Sequence, residues 1–178
     1  MKQTLLAFLA MSLFSLLALS QQRVALKYHG MVYGRDIEMA GVDMALNWIT
    51  SIEGASFDEV DTGTSGNPRT NTTGLTSSDA LGPELQDFQN SEGRDDLDDF
   101  NGIDTSYVYV FQGRDYPFKL KIDVQYVRPD NPNLMSATPT LTKEVTVAVS
   151  ESDSVMFERP PVKVEIKRVF SPAQLRYH

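Results

Sequence analysis

Hydrophobic residues crowd the start of the chain and then thin into a periodic pattern. Positions 4–19 read TLLAFLAMSLFSLLAL, where Thr4, Ser12 and Ser15 are the only polar side chains. The pattern continues past Gln21, Gln22 and Arg23, with apolar side chains returning at Val24, Tyr28, Ile37, Met44, Trp48 and Ile52. No proline occurs before Pro68. This predicts a single helix over residues 1–53, roughly 75 Å long at ~1.5 Å per residue, too long to pack inside a small domain. Its first half is apolar all round, so Leu5, Leu6, Phe8, Leu9, Leu13, Phe14, Leu16 and Leu17 are the expected membrane and filament-core residues. The run spans roughly 24 Å, slightly short of a bilayer, and continuation to Leu26 lengthens it if Arg23 and Lys27 snorkel. Lys2 favours an orientation with the N-terminus inside.

The second half of the helix is amphipathic. Val42, Ala45, Leu46, Ile49 and Ile52 recur at helical spacing and are expected to pack on the domain that follows, with Trp48 and Met44 beside the stripe completing the core. Arg35, Asp36, Glu38 and Asp43 are expected to face outward or to pair with neighbouring chains. Gly30, Gly34 and Gly41 point to close approach or to a local melting point, since each costs about 1 kcal/mol in a helix. Gly54 then supplies a C-cap. The same N-terminus also fits a secretory signal: Lys2, an apolar core over 5–19, and Ala18-Leu19-Ser20 before Gln21. On that alternative the product is a soluble secreted β domain released by cleavage after Ser20.

Residues 54–178 are expected to form a globular antiparallel β domain. Within it, 61–83 is rich in Thr, Ser, Gly and Asn and shows no period, which predicts a long polar surface loop. Asn71-Thr72-Thr73 is an N-glycosylation triplet, so Asn71 is a candidate acceptor. An acidic turn follows over 84–104. Its density of carboxylates makes Asp95, Asp96, Asp98, Asp99 and Asn101 candidate calcium ligands, because calcium takes oxygens from a flexible loop. The competing reading is a solvated turn with Phe100 plugged into the core. Beyond it, 106–111, 118–126, 141–149 and 162–169 read as four strands. The clearest is 118–126, with Phe118, Leu120, Ile122, Val124 and Tyr126 on one face and Lys119, Lys121, Asp123 and Gln125 on the other. Gly113-Arg114-Asp115 predicts a hairpin, and 129–133 starts a longer connection. The fold class is therefore α+β, a long N-terminal helix packed on a four-stranded antiparallel sheet.

Composition narrows the function classes. The net charge of −8 argues against nucleic-acid partners. With no cysteine among 178 residues, disulfides, thiol catalysis and cysteine-borne anchors are excluded. The two histidines, His29 and His178, show no partner arrangement for catalysis, so the chain reads as a non-enzyme with no cofactor beyond the calcium considered above.

A long helix, half apolar and half amphipathic, feeding an antiparallel sheet resembles the type IV pilins and pseudopilins. The segment 95–102, DDLDDFNG, is similar to the DDVDDY-type segment of minor pilins of the mannose-sensitive haemagglutinin class. The strands over 141–149 and 162–171 look like their closing strand pair. The chain departs from the family pattern in two places. No leader ending in Gly before an aromatic residue is visible, and Leu5 stands at the fifth position, where the family carries Glu. A longer precursor, different processing, or an assembly without that salt bridge each account for these departures. The resemblance implies a pilin-like fold and a structural, fimbrial subunit of an extracellular type IV pilus-like filament at the cell surface. Its implied partners are identical subunits in a helical homopolymer, the pilus assembly machinery, and the inner membrane before assembly. A minor pilin or tip protein acting in cell adhesion is the alternative.

Overall fold

The structure, a computed structural model, describes residues 2–58, 69–83, 94–152 and 161–175. Helix α1 runs over Lys2–Ile52, 51 residues. Side chains within it are described without a break over 31–52. A single 3-10 turn, α2, covers Asp98–Phe100. The strands are β1 (Ile103–Phe111), β2 (Arg114–Arg128), β3 (Asn131–Met135), β4 (Lys143–Glu151) and β5 (Lys163–Phe170). All pairings between them are antiparallel, in the order β1-β2-β4-β5, with β3 added to β2.

The expected fold class is corrected. The sheet has five strands, not four. Packing of the N-terminal helix on the sheet along its length is not shown; only its last turns come close, with Gly41 against Val164 of β5. The described apolar burial of α1 is confined to its last turns, at Ile37, Ala40, Met44, Ala45, Ile49 and Ile52. Farther back, Leu19, Val24, Tyr28 and Met31 are exposed. The extra strand is β3, which pairs with β2 through Arg128↔Asn131 and Val127↔Met135 across a register shift. Its sequence, NPNLM, shows no alternation, and Pro132 lacks the N–H of an interior strand. Pattern alone therefore reads it as loop.

Elsewhere local chemistry accounts for the elements. The β1–β2 hairpin turns at Gln112 and Gly113, at φ 50° and 75°, between the pair Phe111↔Arg114. Two consecutive positive φ values give the two-residue turn whose twist matches the strands. In β2 burial alternates strictly from Tyr116 to Tyr126, and Tyr116, Phe118, Leu120, Ile122, Val124 and Tyr126 form one buried face. At Gly41 a side chain would begin 3.2 Å from Val164 Cγ2, closer than ordinary packing, so the glycine there admits β5. Polar ties join the other edge: the Tyr109 hydroxyl donates to Asp43 Oδ2 at 2.6 Å, and Arg114 lies 3.4 Å from Asp36. Asp36 and Asp43 thus have partners in their own chain. Among the described residues no helix is long and apolar enough to cross a membrane.

Candidate functional site

The segment 94–102 folds around its own carboxylates. Asp96 Oδ1 accepts from the N–H groups of Asp98 at 2.7 Å and Asp99 at 3.2 Å. Asp99 Oδ2 accepts in return from the N–H groups of Asp95 at 3.0 Å and Asp96 at 3.3 Å. This reciprocal arrangement at i and i+3 satisfies four donors at the start of a helical turn, as a capping box does. Asn101 closes the other end. Its Nδ2 donates to Leu81 O and its Oδ1 accepts from Val124 N, both at 2.8 Å. Val124 lies beyond the last β1 partner, Ile103↔Ile122, so Asn101 takes up a strand donor that β1 no longer reaches.

Backbone pairing then carries this turn inward. Ser56 N donates to Asp95 O at 2.7 Å and Leu97 N donates to Ser56 O at 3.0 Å, a short parallel bridge. It brings the chain after α1, with Phe57 and Asp58, beside Asp98. From the sheet comes Lys143, paired across β2–β4 with Tyr126. Lys143 Nζ donates to Phe57 O at 2.7 Å, to Asp58 Oδ2 at 3.1 Å and to Asp98 Oδ1. All three ammonium donors are thus used. The same nitrogen lies 4.7 Å from the Phe57 ring centre and 5.1 Å from that of Tyr126, within reach of cation–π attraction. The Tyr126 hydroxyl is 2.9 Å from Thr76 O and 3.3 Å from Asp58 Oδ2. Thr76 N donates to Asp58 Oδ2 at 3.1 Å.

Every charged member of this cluster is inside. Lys143, Asp96, Asp98 and Asp99 are 0% exposed and Asp58 is 1% exposed. Burial disfavours charge, and neighbouring carboxylates disfavour it further. Burial first, then the Asp98 charge, pushes the Asp96 carboxyl up to about 8. Its Oδ2 is buried with no hydrogen-bond partner among the described residues. Burial likewise raises Asp98, against the pull of Lys143. Tyr126 is also raised, by burial and then by the charges of Asp98 and Asp58.

The expected site residues are distributed as follows. Asp95, Asp96, Asp98, Asp99 and Asn101 do come together, with Asp96, Asp98 and Asp99 buried rather than solvated, and Lys143 Nζ lies between Asp98 and Asp58. Among the described residues no three acidic or histidine side chains are arranged to hold a metal ion. Residues 84–93 of the acidic turn and 59–68 at the start of the polar loop lie outside the described residues. The rest of that loop is tied down, with Leu75 buried and Ser78 Oγ donating to Ala137 O at 2.7 Å. Asn71 is exposed, and its Oδ1 accepts from Thr73 N at 3.1 Å. On α1, Ala45, Ile49 and Ile52 are buried and Trp48 packs against the core. Val42 and Leu46 are exposed, a correction to the expected stripe, while Ile37 and Ala40 are buried instead. Leu5, Leu6, Phe8, Leu9, Leu13, Phe14, Leu16 and Leu17 fall within α1, and their side chains lie outside the described residues.

Sequence reasoning missed Asp58 and Lys143. A signal for Lys143 was present: two-residue alternation places it on the same face as Val145, Val147 and Val149, all buried. No comparable periodicity marks Asp58. Comparison of the chain with protein-family models, curated proteins and solved structures finds no match.

Proposed function

We propose that this protein is a structural subunit of an extracellular pilus-like filament, held to identical copies through the exposed apolar surface of α1. The observation that carries this reading is that surface itself. Met11, Val24, Tyr28 and Met31 are 67%, 69%, 67% and 66% exposed on a helix that has already used Ile37–Ile52 positions for its own domain. Large apolar side chains repeated along one helix are an interaction surface rather than scattered surface residues. A second copy supplies a matching surface, and a head-to-tail contact that does not close makes a helical polymer. In the sequence, the apolar run over 4–19 precedes these positions. Before assembly, on this proposal, the inner membrane shelters that run and assembly machinery extracts it.

The test is electron microscopy of the full chain after detergent removal, together with Val24→Asp. Filaments from the unsubstituted chain, and their loss in Val24→Asp with an unchanged circular dichroism spectrum, are expected. A charge buried in an apolar contact costs several kcal/mol. Filaments of normal yield from Val24→Asp would sink the proposal.

A further inference from the structure

We propose that Lys143 and Asp98 are joined by an intramolecular amide bond, formed by the folded chain itself with Asp58 as the proton carrier. The inference rests on the buried cluster and is independent of the filament reading. A lysine amine and a carboxyl group in water remain a solvated ion pair, because charge and water both oppose condensation. In this fold water is excluded and the two groups are held together. Lys143 and Asp98 are fully buried, in contact through Nζ and Oδ1, and walled by the rings of Phe57 and Tyr126. Fixed proximity of two reacting groups replaces a bimolecular encounter by an effectively unimolecular step. A desolvated lysine is the form in which the amine acts as a nucleophile.

The proton path is also on hand. Asp58 Oδ2 lies 3.1 Å from Lys143 Nζ and is held from the other side by Thr76 N and the Tyr126 hydroxyl. The ammonium of Lys143 passes a proton to Asp58, which relays it to the Asp98 carboxylate. Burial already favours the protonated form of Asp98. The freed amine lone pair forms the N–C bond at Asp98 Cγ. A second proton leaves the nitrogen through Asp58 to the departing oxygen, the C–O bond breaks, and one water is released. Ammonium and carboxylate become amide and water, Asp58 ends as it began, and no oxidant, reductant or other reactant takes part. The bond would tie the turn before β1 to the first residue of β4, a covalent staple in a chain that has no cysteine.

Mass spectrometry of the intact full chain tests this directly. The expected mass is lower than that of the sequence by one water, with Asp98→Ala and Lys143→Arg showing no such loss. Trypsin should release a branched peptide joining residues 95–114 to the segment containing Lys143, with cleavage after Lys143 blocked. Asp58→Asn should slow or abolish the loss of water in a chain that still folds by circular dichroism. A folded, unsubstituted chain with its full mass and ordinary cleavage after Lys143 would overturn the proposal without any recourse to variants. A branched peptide through a residue other than Asp98 would overturn the assignment of the acceptor.

Discussion

On α1 the large apolar side chains Val24, Tyr28 and Met31 face out, while in the globular part Lys143, Asp58, Asp96 and Asp98 are shut in. Both regions reverse the usual placement of their residue types, and they resolve the reversal differently. The charged cluster is completed within one chain: each Lys143 donor has an acceptor, and two aromatic rings flank the cation. On α1, Val24 and Met31 stay largely exposed among the described residues. A group that finds its partners inside the molecule builds stability. One that does not is available for assembly. The two regions should therefore fail separately, one in folding and the other in association.

The largest effect is expected at the centre of the cluster. Lys143→Met removes the amine, whether it stands as the cation or in the amide proposed above, and leaves Asp58 and Asp98 buried together, a loss of about 3–5 kcal/mol that should unfold the domain or lower its Tm steeply in thermal denaturation. Retention of the original Tm would mean that the carboxylates are solvated and that the cluster is not an interior feature. The comparison sharpens further with pH. Asp96 is raised from 3.8 to about 8, so the folded chain holds a proton that the unfolded chain releases near pH 4. Its contribution is complete below the unfolded value, erodes as pH rises, and is gone above about 8. Asp98 shifts in the same direction, while Asp99 and Lys143 are the other charges that face Asp96. The Tm should fall from pH 5 to pH 9, and Asp96→Asn should flatten that slope. A smaller loss is expected from Asn101→Ala, which strands Val124 N and Leu81 O at a cost of about 1–3 kcal/mol. Denaturant titration reads it, and an unchanged midpoint would remove Asn101 from the account.

How much of this was legible in the residues follows from the range of the interactions. Alternation in 118–126 marked the buried face of β2, because period and burial are local there. β3 escaped because its pairing depends on the course of the chain after Arg128 rather than on its own pattern. The exposure of Val42 and Leu46 was not legible either: helical spacing defines a stripe but not which edge of it meets the sheet. The acidic segment shows the limit most clearly. Density of carboxylate suggested solvent or a metal, and both readings depend on what faces it. Lys143 and Asp58 face it from 45 and 40 positions away in sequence, brought in by β4 and by the Ser56–Asp96 bridge.

Because the chain contains no cysteine, a single introduced thiol reports one site alone. The most direct test compares thiol reactivity in Val24→Cys and Val108→Cys, before and after assembly. Both valines are exposed in the single chain, at 69% and 60%, one on α1 and the other on the outer face of β1. Assembly is predicted to suppress labelling strongly in Val24→Cys and to leave Val108→Cys close to its unassembled rate. Equal labelling of the two in assembled material, or protection at Val108→Cys alone, would contradict the claim that α1 is the surface completed by another copy.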